Sequence, residues 1–177
     1  MKYELRNQKT VEIRVPTLDD AEAIVELIKQ ADTETLFLAR EPGEFVTSVE
    51  REKEVITGVI NDSDQQWFVA EYEGKVVGQC SIGLIRRVVR YRHRAEVAFV
   101  ILQDYCDLGI GGKIMQECIR WAKENGVTQL ELDVVAKNER AIKMYEGFHF
   151  EKVGVMPKAL RYSNGEFVDE YNMVLTL

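Results

Sequence analysis

Two hydrophobic periods alternate along the chain, and the switches between them mark its elements. Val11–Val15 alternates apolar and polar residues and predicts a short strand. Thr17 follows as a helix N-cap, with Asp20 three residues on in a capping-box place. Ile24, Leu27, Ile28 and Ala31 then share one face of a helix. Pro42-Gly43 punctuates a loop, and a second helix is expected over about 44–60, ended by the polar run Asn61 to Asp64.

Strand periodicity takes over at Trp67–Tyr72 and Lys75–Ile85, either side of the hairpin signal Glu73-Gly74. A basic stretch, Arg86 to Arg94, leads into a further strand, Ala95–Leu102. After a glycine-rich turn, Ile114, Met115, Cys118, Trp121 and Ala122 form the apolar stripe of a helix reaching Asn125, with Gly126 as its C′ residue. A strand over Gln129–Val135, a short helix over Asn138–Glu146, and strands over Phe148–Val155 and Phe167–Leu175 complete the pattern. Hairpins fill the first half and helices separate strands in the second. The expected fold is α/β: one domain over residues 1–177, with a mixed, mostly antiparallel central sheet and helices on both faces.

Length and composition leave that picture unchanged: 177 residues suffice for one sizeable core. No apolar run approaches the ~20 residues of a membrane helix, and the first ten residues do not resemble a signal peptide, so a cytoplasmic protein is expected. Cys80, Cys106 and Cys118 fit no disulfide framework, and with two histidines no metal site is expected. The net charge of −7 argues against broad nucleic-acid binding and mildly favours a cationic substrate.

Candidate chemistry concentrates between Ala95 and Lys113. Glycines ahead of a helix let the backbone approach a ligand, and the helix N-terminus offers unpaired N–H groups with partial positive charge. Together they suit a pyrophosphate, although the same glycines can simply make a tight turn. The spacing is not that of a Walker loop. A second group, Asn138 to Glu146, adds to this. With both in place, the chain resembles the GNAT superfamily of N-acetyltransferases. The first motif of that family is Gln or Arg, two residues, Gly, one residue, then Gly or Ala. Gly109 and Gly111 match; Cys106 departs. In the second, Asn138, Ala141, Ile142, Tyr145 and Phe150 match, while His149 stands where glycine is usual.

The resemblance implies a function and a site. Acetyl-CoA would be the co-substrate and an amine of a small molecule or protein terminus the acceptor, with a homodimer possible and no metal. The strand carrying Phe99, Val100 and Ile101 would splay from its neighbour and pair with the pantetheine arm. Cys106, Asp107, Leu108, Gly109, Ile110, Gly111, Gly112 and Lys113 would surround the pyrophosphate, and Asn138 would contact the CoA arm. Tyr145 would be the general acid, since a phenol of pKa about 10 stays protonated at neutral pH; alternatively it packs its ring in the core. Glu96 is the candidate base, or else a strand carboxylate paired with Arg94. Ala31–Glu54 and the Arg86–Arg94 hairpin would shape the acceptor pocket. The arginine run can equally be a solvated hairpin or a partner surface. Two other classes remain open: a CoA-holding module without turnover, and an RNA-associated protein acting through the arginines.

Overall fold

A computed structural model describes residues 1–177. Its strands are β1 (Lys2–Glu4), β2 (Thr10–Arg14), β3 (Gln65–Tyr72), β4 (Lys75–Leu84), β5 (Arg94–Ile101), β6 (Gln129–Val135), β7 (Glu151–Arg161) and β8 (Phe167–Thr176). Its helices are α1 (Ala21–Glu34), α2 (Val49–Ile60), α3 (Ile110–Glu124) and α4 (Glu139–Gly147). One eight-stranded sheet runs in the order β1-β2-β3-β4-β5-β6-β8-β7, antiparallel throughout except where β5 meets β6.

Alternation along the strands sends side chains to two cores. Ile13, Phe68, Ile82, Val97, Leu130, Leu132 and Met173 meet Ile110, Ile114, Met115 and Cys118 of α3 on one face, where Tyr145 of α4 also packs. Val69 and Val76 meet Ile24, Leu27, Ile28 and Ile56 of α1 and α2 on the other. Helices therefore cover both faces.

Two elements are displaced from expectation, and one strand is additional. The second helix begins at Val49, not near Glu44, because Ser48 caps it: the Ser48 hydroxyl accepts from Arg51 N at 3.1 Å. The strand expected over Phe148–Val155 is displaced to Glu151–Arg161. Phe148 N and Phe150 N both donate to Tyr145 O, and His149 takes φ 68°, so residues 148–150 close α4 instead. β7 then runs through Pro157, which an edge strand with a register shift between Met156 and Leu160 tolerates. β1 went unread because Lys2–Glu4 offers one half-buried residue between two exposed ones.

Candidate active site

The site begins where β5 leaves β6. The two strands pair only over Arg94–Glu96 and Gln129–Glu131. Beyond that, β5 continues to Ile101 against β4, and β6 continues to Val135 against β8. A wedge opens between them. His93 O accepts from Thr128 N and Gln129 N on the β6 side, whereas Arg94 O accepts from Ile85 N and Leu102 N donates to Val77 O on the β4 side. Strand alternation therefore turns the main-chain groups of Phe99 and Ile101 into the wedge and those of Val100 toward β4. The side chain of Val100 packs with the α1/α2 core.

Below the wedge, on the α3 face, the chain turns sharply. Asp107 has φ 62° and Gly109 φ 97°, the left-handed region that suits glycine. The N–H groups of residues 107–112 donate to no acceptor in the protein; the first intrahelical bond is Lys113 N to Gly109 O at 3.3 Å. Six successive donors at a helix N-terminus form a concave anion site. Ile110 and Leu108 anchor the turn in the core. Gly111 is needed for another reason: a Cβ there would lie 2.7 Å from Met144 Sδ and 3.4 Å from Ile101 Cδ1, so its absence lets α3 approach α4 and β5. Gly112 has only ordinary neighbours, 3.7 Å or more away.

Side chains around the turn are placed less simply. The Cys106 thiol lies 3.7 Å from Leu102 O. Lys113 Nζ sits over the Tyr3 ring at 5.2 Å. Asn138 caps α4 through Oδ1, which accepts from Ala141 N at 3.3 Å, and its Nδ2 makes no bond. Two cations overlooked in the sequence stand at the turn. Arg140 Nε lies 3.6 Å from Asp107 Oδ2, and Arg6 Nη1 donates to Asp107 O at 3.3 Å. Arg140 follows Asn138 by two residues, which was the available signal.

Tyr145 is buried at the wedge on the α3 face. Its ring meets Phe99 edge-on at 5.9 Å and Phe150 at 5.7 Å. Burial, then the neighbouring Cys80 and Cys118 thiols, push its pKa well above the usual phenol value, and no hydrogen bond in the protein holds its hydroxyl.

Glu96 projects from the opposite face, because Ala95 and Val97 on either side are in the α3 core. Arg94 pairs with Glu131 instead, its Nη2 donating to Oε2 at 2.7 Å. Burial, then Asp133 and Glu131, raise the Glu96 pKa. Register puts Glu131, Asp133, Glu170 and Asn172 on this same face, with Asn172 Nδ2 donating to Asp133 Oδ1 at 2.6 Å. Burial, then Asp133, raise Glu170 as well. The open face beside the wedge is thus acidic.

A cleft of about 190 Å³ is lined by residues 35–36, 38–42 and 159–162. Part of the Ala31–Glu54 segment thus lines a cleft. The arginine hairpin lies elsewhere, at the end where β5 and β6 are still paired. Arg87 bonds Asp62, Arg92 bonds Asp64 at 2.8 Å, and Arg86 and Arg94 flank the Tyr91 ring. No group of three or more His, Cys, Asp or Glu side chains is placed to hold a metal, and no helix is long and apolar enough to cross a membrane.

Comparison with known proteins fits this geometry. Residues 31–150 match the model of the acetyltransferase (GNAT) family. The chain belongs to that family. Among curated relatives, the L-amino acid N-acetyltransferase AaaT of Escherichia coli is 36% identical over 110 residues, 59% of this chain. The match spans 64% of AaaT, less than two thirds of its length. A GNAT-family acetyltransferase from Streptococcus pneumoniae superposes with a TM-score of 0.88 at 25% identity, covering 94% of this chain and 99% of that one. The yncA protein of Salmonella typhimurium, solved with its cofactor acetyl-CoA, shares the fold with a TM-score of 0.82 at 20% identity, covering 94% of each chain.

Proposed function

We propose that this GNAT chain transfers the acetyl group of acetyl-CoA to a primary amine by direct attack, with Glu96 as base and Tyr145 as acid. The observation that carries the reading is the alignment of two openings. The unpaired N–H groups of residues 107–112 sit on the α3 face, and the β5–β6 wedge leads from there to the acidic face bearing Glu96. The diphosphate of the co-substrate fits the first and its thioester arm the second.

An alkyl ammonium has a pKa of about 10.4, so an acceptor arrives protonated and must lose a proton to attack. The acidic face attracts the cation. Glu96, unpaired and raised by its surroundings, accepts the proton directly or through one water. The amine nitrogen then bonds to the carbonyl carbon, and its second surplus proton leaves through the same carboxylate once Glu96 has passed the first to solvent. The Phe99 N–H, facing the wedge, stabilises the oxyanion. As the intermediate collapses, the C–S bond breaks, the thiolate takes a proton from the Tyr145 hydroxyl, and solvent restores both groups. The products are the N-acetyl amide and CoA as its thiol.

Arg140 and Arg6 supply charge beside the diphosphate where Cys106 does not. Three free thiols suit a reducing compartment such as the cytoplasm. Following CoA thiol release from acetyl-CoA against a panel of amines tests the reading. Amine-dependent release is expected. Tight acetyl-CoA binding without turnover on any amine would favour the non-catalytic module instead.

A further inference from the structure

Parallel pairing sets two glutamates side by side. Glu96 of β5 lies directly opposite Glu131 of β6, and both point to the open acidic face. Like charges opposite one another across two strands repel. The one cation that β5 and β6 present on this face is Arg94, two residues before Glu96. Two residues along a strand span about 7 Å, so a long arginine side chain could serve either carboxylate. The structure gives it to Glu131 alone.

The grip is two-pronged. Arg94 Nε donates to Glu131 Oε1, and Nη2 donates to Oε2 at 2.7 Å. Gln129 Nε2 donates to the same Oε1 at 2.9 Å, and the Tyr91 ring lies 5.2 Å from the guanidinium carbon. Both ends of Arg94 are thereby fixed away from Glu96. On β4 the neighbours of Glu96 are Gly83 and Ser81, neither ionisable, and the remaining charge beside it on β6 is Asp133. The two glutamates diverge as a result. Arg94 holds Glu131 below the ordinary carboxylate range against the opposing effect of burial, with help from Gln129 and His93. Burial, then Asp133 and Glu131, push Glu96 the other way. Two adjacent carboxylates driven apart by their surroundings are suited to two different tasks.

We infer that Glu131 is a positioning residue: it takes up Arg94 so that its neighbour Glu96 stays unpaired at the wedge and free to accept a proton. With Glu131 neutral, Arg94 is released toward Glu96, holds it ionised and makes it a weaker base. The inference rests on the reading of Glu96 as the base but fails separately from it, because the clamp can be measured without turnover.

The experiment titrates the glutamate side-chain carboxyls by carbon-13 NMR, with the resonance lost in Glu96→Gln as the assignment, beside pH profiles of kcat/KM. Glu131→Gln should move the Glu96 titration and the acid limb down by about one pH unit, and kcat on the plateau should fall several-fold. Arg94→Gln leaves Glu131 charged and unpaired beside Glu96, so both should move up by about one unit. The double variant removes both charges and should return both to near the wild-type position. A pair that only staples β5 to β6 would lower the melting temperature in all three variants without opposite shifts. Single variants that move the Glu96 titration the same way, or not at all, overturn the inference and leave acetyl transfer standing. Opposite NMR shifts with an unmoved acid limb uphold the clamp and remove Glu96 as the base.

Discussion

Glu96 and Tyr145 lie on opposite faces of the sheet, on either side of the point where β5 parts from β6. Two proton-transfer groups on one face would compete for the same space. In the proposed reaction, separation by the wedge lets one address the entering amine and the other the departing sulfur. Their environments also differ: Glu96 is surrounded by carboxylates, Tyr145 by aromatic rings and thiols.

Replacing Glu96 tests the base. Its pKa is raised, and a base works only when ionised, so the acid limb of kcat/KM should fall above the ordinary glutamate range, near pH 4.3 or so, and activity should rise with pH through it. Glu96→Gln should lower kcat about 10²-fold and abolish that limb. A variant profile superimposable on wild type would assign the proton to a water chain instead.

Tyr145→Phe separates chemistry from packing. The ring contacts with Phe99 and Phe150 survive the change and no internal hydrogen bond is lost. Thermal stability should move by less than about 1 kcal/mol and KM for acetyl-CoA should hold, while kcat falls on the order of 10²-fold. Unchanged turnover would reduce Tyr145 to a packing residue.

Gly109→Ala probes the turn. Nothing crowds a Cβ there, so the cost is conformational: φ of 97° in a non-glycine residue costs roughly 1–2 kcal/mol. Melting should detect that loss, and KM for acetyl-CoA should rise because the N–H groups relax out of register. A destabilised variant with unaltered KM would show that the turn does not carry the diphosphate.

Arg140→Ala should raise KM for acetyl-CoA several-fold and weaken its salt dependence. Stability should change little, since Arg140 and Asp107 are both well exposed. Equal KM at low and high salt in both proteins would remove Arg140 from the site.

What could be read in the sequence was local. The strand–turn–helix from Ala95 to Asn125 was legible because apolar alternation, glycines and a 3.6-residue stripe each leave a mark within a few positions. The hairpin at Glu73-Gly74 and the cap at Gly126 were legible for the same reason, both glycines taking positive φ. Less could be read where distant segments meet. Glu96 had Arg94 as its nearest cation in sequence, yet Arg94 reaches Glu131 across the parallel pair and leaves Glu96 free. The β7 boundary depended on His149 adopting a left-handed conformation, which its residue type does not announce. Tyr162 and Arg40 gave no signal, because their cleft forms only when the α1–α2 loop folds against the end of β7.

Backbone amide hydrogen exchange, with and without CoA, tests the central geometry most directly. Ligand-dependent protection is expected at residues 107–112 and at Phe99 and Ile101 on β5, with Val100 unchanged because it already faces β4. CoA binding that leaves residues 107–112 exchanging as in the free protein, or protection centred elsewhere, would contradict the account.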